Sequence, residues 1–458
     1  MGVLSLNCNM KFAVERISKG GGRLGKLSNL RSQPDVIHAT PMTLVATVGG
    51  SAPHLTQDVF NLVAKKDAPL CVSAQHYCKH VEILQAYKKG VASFAALQGH
   101  SVCVTVQDAA QATPSGYNDK QGISTWTHGG RQVLTPQTYM NVVEVMQPDW
   151  YEVLCDADTP PDASKKRLSK SAAMSKSYLT QCLKLHKDSN CLQGAGVLIP
   201  LLGGHSYAER VRWSKWVADN AQDGIEAAGY SLLGLHTNGP KVEKIDAKAV
   251  CELVETSLGS LSQSLPRQAS GAWNPLTVVR LVMAGVDIFD STFPYLVTER
   301  CGALTFLHWL TRDPSRDNLQ HQDKRLRGDS EKNKNQDEEE TLNEKEKESK
   351  SEELESTEGK ENQCDEEVNV KSSYEICLKD KRYAEVQEPL VSGCECYTCQ
   401  NFTIAYIHHL TMVKELLAPV LLSIHNLHHW LGFFSSIRTA VGSDQLVDLQ
   451  RLLQTSAA

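Results

Sequence analysis

The amino-acid sequence predicts an α/β protein, a (β/α)8 barrel of the TIM type followed by a helical module. Strand-like and helix-like runs alternate over residues 41–311, and this length of about 270 residues suits one barrel better than an open doubly wound sheet. Within residues 41–311, no Gly-x-Gly-x-x-Gly motif follows a strand-like run, so a Rossmann cofactor site is unsupported. From about residue 389 onward, apart from the cysteine loop, only helical periodicity remains.

The predicted strands are short apolar runs rich in β-branched residues. They cover residues 42–48, 101–106, 150–155, 196–202, 230–235, 265–270 and 286–289. The predicted helices have apolar residues three and four positions apart. They cover residues 81–94, 136–146, 169–185, 208–220, 248–258 and 276–284. Asp156 and Asp290 each follow a predicted strand directly, and strand ends are where the functional groups of a barrel lie.

The N-terminal residues 1–40 predict a β-rich segment of short hairpin-like strands, because Gly20, Gly21, Gly22 and Gly25 interrupt a basic stretch. Met10 is an alternative start to Met1. No basic stretch leads into an apolar one, so no secretory signal is expected. No run approaches the roughly 20 apolar residues of a membrane span. The 14 cysteines are therefore expected to be reduced thiols in the cytosol.

Residues 312–371 are polar and strongly acidic. Between Asp329 and Glu367, 17 Asp and Glu residues accompany only 6 Lys residues. This composition buries too little apolar surface to offset the conformational entropy, so a disordered acidic insert is expected. A long solvated helix with Glu–Lys pairs is the alternative. The rest of the chain has 41 basic and 36 acidic residues, a balance that permits contact with a polyanion without requiring it.

Residues 372–458 predict a helical zinc-binding module, with helices at 402–417, from Pro419 to about 434, and at 444–453. Ahead of these helices, Cys394, Cys396 and Cys399 lie within six residues. Three thiolates and one imidazole suit a closed, structural zinc site, since four protein ligands leave no position for water. The alternative is three neighbouring cysteines without a metal. Helical geometry leaves five histidines open as the fourth ligand: His408, His409, His425, His428 and His429.

These features together resemble tRNA-guanine transglycosylases. The resemblance depends on the barrel order, on Phe289-Asp290 followed by Pro294, and on Cys-x-Cys-x-x-Cys with a histidine 26 positions after the last cysteine. It covers nearly the whole chain except the acidic insert. Shorter matches are Arg23-Leu-Gly25, Leu134-Thr-Pro136, Leu265-Pro-Arg267, Cys396-Tyr-Thr-Cys399 and His425-Asn-Leu427. The resemblance selects His425 as the fourth ligand and implies one structural Zn²⁺ per subunit.

In that family, a strand-end aspartate attacks the ribose carbon of a tRNA nucleotide, and a second aspartate takes part in base recognition. By resemblance, Asp290 falls on the nucleophile position, and Asp156 falls on a position that helps to hold the base. The surroundings differ from the active enzymes, because Gln107-Asp108-Ala-Ala-Gln-Ala112 replaces Asp-Ser-Gly-Gly-Phe-Gln and keeps only Asp108. We therefore expect no catalytic residue, and we expect Asp290 to be idle.

The segments 50–56 and 293–300 resemble the accessory, non-catalytic eukaryotic branch of the family. That resemblance implies a heterodimer with a catalytic subunit that exchanges guanine for queuine at wobble position 34 of tRNAs with GUN anticodons, for Asp, Asn, His and Tyr. It implies tRNA contact through the complex, and a location in the cytoplasm and peripherally on the mitochondrial outer membrane. The alternatives are an active homodimeric transglycosylase with Asp290 as nucleophile, and a zinc-stabilised barrel with an unrelated substrate.

Overall fold

Eight parallel strands close into a barrel in the computed structural model, which describes residues 9–64, 68–220, 227–309 and 374–457. The strands are Met42–Ala46, Leu70–Ser73, Val102–Thr105, Trp150–Glu152, Gly196–Leu201, Gly229–Leu232, Arg267–Gln268 and Ile288–Asp290. Each strand pairs with the next, and the eighth returns to the first with Ile288 opposite Met42. The predicted barrel is confirmed. Leu70–Ser73 was not predicted, since four residues are too few to display a period.

Helices follow every barrel strand. They are Gln57–Val63, Val81–Tyr87, Gly90–Phe94, Pro136–Met146, Lys165–Asp188, Tyr207–Asn220, Ala247–Leu258, Pro275–Met283 and Thr292–Glu299, with short 3₁₀ turns at Ala74–Tyr77 and Pro240–Lys244. Local signals set where they begin: the side chains of Thr135 and Asn274 each accept a backbone N–H from the first turn of the following helix. A proline then takes the first helical position, where no N–H is needed.

Two predicted helices are shorter than expected. The prediction of one helix over residues 81–94 is wrong, because Lys88 adopts a left-handed conformation with φ of 65° and ends the first of two helices. The prediction of one helix over 402–417 is also wrong. That helix covers only Ile404–Met412, and Lys414 is left-handed with φ of 59°. Such residues stop a helix without the glycine that would announce the stop in a sequence.

The N-terminal strands Lys11–Ile17, Arg23–Ser28 and His38–Thr40 form an antiparallel sheet. From this segment, Leu27 and Leu30 are fully buried in one cluster with Trp150 and Leu198 of the barrel. The sheet therefore covers the amino-terminal end of the barrel with apolar side chains. At the opposite end, a hairpin of Ile123–Thr127 and Gly130–Leu134 interrupts the connection from the third strand to its helix.

The C-terminal module contains the helices Tyr397–Asn401, Ile404–Met412, Leu417–Gly442 and Leu446–Ala457, and a 3₁₀ turn at Lys381–Tyr383. The helix Leu417–Gly442 runs past the predicted end near 434, and Trp430 on it donates from Nε1 to Thr43 Oγ1 of the first barrel strand over 3.2 Å. The strand Gly302–Leu304 pairs antiparallel with Glu375–Cys377.

The acidic insert predicted at 312–371 lies outside the described residues, and so does Met1. The boundaries of the four predicted segments stay predictions. Within the described part of the chain, none of the helices is long and apolar enough to pass through a membrane.

Candidate functional site

The three clustered cysteines meet one histidine of the long helix Leu417–Gly442. The Sγ atoms of Cys394, Cys396 and Cys399 lie 3.9, 3.5 and 3.3 Å from Nδ1 of His425, and the four donor atoms all lie within 4.8 Å of one another. Cys396 and His425 are buried. The four residues can therefore hold a metal ion.

The spacing of the donors fits zinc. Bond lengths of about 2.3 Å to sulfur and 2.05 Å to nitrogen at tetrahedral angles place S and N about 3.6 Å apart, which lies within the range of the three distances above. The donor chemistry agrees, since thiolate and imidazole are ligands that Zn²⁺ favours. Hydrogen bonds with the Cys396 and Cys399 thiols lower the pKa of the Cys394 thiol, and contact with Cys394 raises the pKa of the other two thiols.

The other ring nitrogen of His425 is also held. Nε2–H donates to the carbonyl oxygen of Leu304 over 2.8 Å, which leaves the Nδ1 lone pair facing the sulfurs. The neighbouring Asn426 accepts the backbone N–H of Leu304 over 2.8 Å. The bond from His425 Nε2–H to Leu304 is the one that matters for a metal, because a hydrogen bond at the nitrogen that does not face the metal fixes the tautomer of the histidine and makes it a better ligand.

The remaining candidate histidines have different surroundings. Ring nitrogens of His408 and His429 lie 2.7 and 3.0 Å from the carbonyl oxygens of Leu378 and Phe306. His409 is exposed. His428 is half-buried and lies near enough to Cys394 to lower the pKa of that thiol slightly, but the converging group of four contains His425 instead.

A cavity of about 80 Å³ opens at the carboxyl ends of the barrel strands. Its lining mixes apolar side chains with polar ones, and the polar ones include Gln107, Asn118, Glu152, Asp158, His236 and Ser270. Burial lowers the pKa of His236 to about 4, so this ring is neutral near pH 7. Its Nε2–H donates to the Ser270 carbonyl over 3.0 Å. The sequence-predicted acids Asp108, Asp156 and Asp290 surround this end of the barrel.

Asp290 ends the eighth strand and is 2% exposed. Its Oδ2 accepts the backbone N–H of Gly271, and its Oδ1 accepts that of Thr292, each over 2.9 Å. Burial raises the pKa of the Asp290 carboxyl, and hydrogen bonds from Thr292 oppose that rise. Both carboxylate oxygens are therefore engaged by the main chain.

Asp156 lies four residues beyond the fourth strand and is fully buried. Its carboxylate accepts two hydrogen bonds of 2.7 Å from the guanidinium group of Arg167. Asn118, in the cavity wall, donates a third bond over 2.8 Å to Oδ1. An aspartate that the resemblance connects with base recognition is thus satisfied by side chains of its own chain.

Asp108 belongs to a separate network around the third strand end. Its Oδ1 accepts the backbone N–H of Ala110 over 2.9 Å. Its Oδ2 accepts from Gln111 over 3.0 Å and lies 3.2 Å from His76 Nε2. The residue therefore organises the loop that replaces the family's glycine-rich motif.

Glu152 is a buried acid in the cavity wall that the sequence reasoning missed. Burial raises its pKa to about 7, although a hydrogen bond from Ser231, 2.5 Å from Oε1, opposes the rise. The available signal was a carboxylate inside the strand-like run 150–155, because a charged residue in a buried strand needs a partner or a proton.

Fold and site together define a (β/α)8 barrel protein with buried acids at its strand ends and four residues that can hold a metal ion. A family model described as queuine tRNA-ribosyltransferase matches residues 18–457. The chain belongs to this family.

Relatives named queuine tRNA-ribosyltransferase accessory subunit 2 match nearly end to end. The relative from Ixodes scapularis is 35% identical over 432 residues, 94% of this chain and 96% of its own length. The human relative is 34% identical over 451 residues, 98% of this chain and 100% of its own. The relative from Xenopus laevis is 33% identical and covers 97% and 99%. The resemblance to the accessory branch is confirmed.

Proposed function

We propose that this chain is a non-catalytic subunit of a heterodimeric queuine tRNA-ribosyltransferase. It pairs with a catalytic chain and supports the exchange of guanine for queuine at wobble position 34 of tRNAs with GUN anticodons. The observation that carries the proposal is the near end-to-end match to relatives named as accessory subunits. The tRNA contacts this subunit through the complex.

The state of the strand-end acids supports a non-catalytic role. A nucleophilic carboxylate needs an oxygen that can approach the reacting carbon, within a pocket that positions the substrate. Here the oxygens of Asp290 accept main-chain N–H groups, and those of Asp156 accept from Arg167. The homodimer alternative would use Asp290 as nucleophile, and it is disfavoured by these contacts and by the altered segment 107–112.

We further propose that the cluster of Cys394, Cys396, Cys399 and His425 binds one Zn²⁺ with a structural role. When bound, the ion supplies a cross-link between the cysteine loop and the long helix, and it has no open coordination position for chemistry. This chain's own residues prepare that cross-link. The carbonyl oxygen of Leu304 orients the ring of His425. The backbone N–H of Cys399 donates a hydrogen bond of 3.3 Å to the sulfur of Cys396.

The function is tested by purifying this chain alone, the catalytic partner alone and the two together. Incorporation of radiolabelled guanine into a GUN-anticodon tRNA is measured for each. We expect co-elution of the two chains and exchange only in the mixture. Exchange by this chain alone would contradict the proposal. Failure of the co-purified complex to bind tRNA would favour a barrel with an unrelated substrate.

The location in the cytoplasm and at the outer face of mitochondria remains a proposal that rests on the resemblance. Fractionation of cells followed by carbonate extraction tests it. A peripheral subunit is released from the mitochondrial fraction by carbonate, whereas recovery only inside protease-protected mitochondria would contradict the proposal.

A further inference from the structure

Arg167 reaches from the first turn of the helix Lys165–Asp188 to the carboxylate of Asp156. Its Nη1 and Nη2 each lie 2.7 Å from a different oxygen of that carboxylate. The Asp156 side chain is wholly buried, while 23% of the Arg167 side chain is exposed. Two parallel N–H···O bonds of this kind form the fork-shaped pair that gives guanidinium groups their specificity for carboxylates.

The rest of the Asp156 environment is built without Arg167. Ser175 Oγ accepts its backbone N–H over 2.9 Å, and Ser171 Oγ donates to its carbonyl oxygen over 2.5 Å. Asn118 donates to Oδ1, and its own amide oxygen accepts the backbone N–H of Ser124 over 2.9 Å. Asp156 is therefore held in position by Asn118 and the two serines. Its two carboxylate oxygens both face the guanidinium group of Arg167.

Helix stability does not explain Arg167. Lys165, Lys166 and Arg167 are consecutive in the first helical turn, and that turn contains no acid. Cations at a helix N-terminus oppose the helix dipole, typically by some tenths of a kcal/mol each. The guanidinium of Arg167 instead finds its partners outside the helix, in Asp156 and, at 3.6 Å, in Asp158.

We propose that Arg167 is an internal ligand of a two-acceptor site formed by the two carboxylate oxygens of Asp156, which Asn118 holds in place as a donor, and that this site binds a free guanidinium-type ligand once the Arg167 side chain is removed. The ligand class is a planar group with two parallel N–H donors. In the intact chain, the same contact keeps such groups from the Asp156 carboxylate, because both oxygens already accept from Arg167. The inference concerns contacts within this chain only, so it stands or falls separately from the proposed function.

The test compares the full-length chain, its Arg167→Ala variant and an Arg167→Ala/Asp156→Asn double variant. Thermal unfolding is followed in millimolar methylguanidinium chloride and, at equal ionic strength, in sodium chloride. Tetramethylguanidinium, which has the same charge but no parallel donor pair, is the third condition. We expect methylguanidinium to raise the Tm of Arg167→Ala by about 2 °C and to leave the other two proteins unchanged. An equal response of all three proteins, or no response of Arg167→Ala, would overturn the proposal.

The single variant leaves a buried carboxylate without its cation and could fail to fold. In that case, refolding from denaturant is compared in the same three salts. Recovery of soluble protein only with methylguanidinium supports the proposal, and aggregation in all three salts overturns it. Arg212→Ala is the matched control, since the Arg212 side chain is 71% exposed and pairs with Glu209 on its own helix. This variant should respond to none of the salts.

Discussion

In the C-terminal cluster, four donor atoms converge on one point, whereas at the barrel mouth the carboxylates already accept hydrogen bonds from their own chain. His425 directs Nδ1 toward three sulfurs because Leu304 holds the opposite nitrogen. Asp156 and Asp290 instead accept from Arg167 and from main-chain N–H groups. Both regions contain buried polar groups, Cys396 and His425 in one and Asp156 and Asp290 in the other, so burial alone does not distinguish them. The two regions differ in whether lone pairs are left for a bound partner such as a metal ion. Of the two, the cluster leaves them.

The largest expected effect is loss of the metal. Replacing His425 with Ala removes one of four ligands, and zinc binding in small modules contributes on the order of 10 kcal/mol to folding. We expect His425→Ala to lose zinc and to pair poorly with the catalytic subunit, as measured by elemental analysis and co-purification. His409→Ala, at an exposed position of the same module, should keep both. Full zinc retention in His425→Ala would move the assignment to a neighbouring histidine such as His428, which influences the pKa of Cys394.

The next effect is at Asp156. Asp156→Asn removes the nearer of the two carboxylates that Arg167 faces and leaves Asp158 at 3.6 Å, and breaking one side of a buried ion pair typically costs about 3–5 kcal/mol. Urea unfolding should show a loss of this order, reduced because Arg167 is partly exposed. Asp448→Asn is the matched control, because that aspartate pairs with Arg451 on the surface and exposed pairs contribute little. Equal stability of the two variants would show that the Asp156–Arg167 pair at the barrel mouth contributes no more than the exposed Asp448–Arg451 pair.

A third effect depends on pH. Burial raises the pKa of Glu152 from 4.5 to about 7, so between these values the folded chain keeps a proton that the unfolded chain releases. The stability from this group is therefore present below pH 4.5 and is lost as pH rises to about 7. The loss amounts to about 3 kcal/mol. Urea unfolding at several pH values should show it in wild type and not in Glu152→Gln. The exposed Glu255→Gln should behave as wild type, and an unchanged profile in Glu152→Gln would refute the assignment.

The sequence was informative where the structure depends on neighbours along the chain. Apolar periodicity predicted most barrel strands. The three cysteines lie so close in sequence that a metal ion shared between them was expected before any fold was known. Left-handed Lys88 and Lys414 could not be foreseen, because lysine carries no signal for that backbone conformation.

The barrel mouth was harder to predict, because its contacts join distant segments. Asp156 was expected at a strand end, but that Arg167 would satisfy it depends on how the helix Lys165–Asp188 packs. Glu152 meets Ser231 from a strand two positions around the barrel. A sequence shows which acids are available; only the fold shows which donors reach them.

The smallest expected effect belongs to Asp290, and it tests the central claim that the chemistry takes place on the other chain. The heterodimer is assembled with Asp290→Asn in this subunit and a wild-type catalytic partner, and co-elution is checked first. The rate of guanine exchange into tRNA is then compared with that of the wild-type heterodimer. We expect the two rates to agree within about twofold, a difference of about 0.4 kcal/mol in barrier height. Loss of exchange in an intact Asp290→Asn heterodimer would contradict the account.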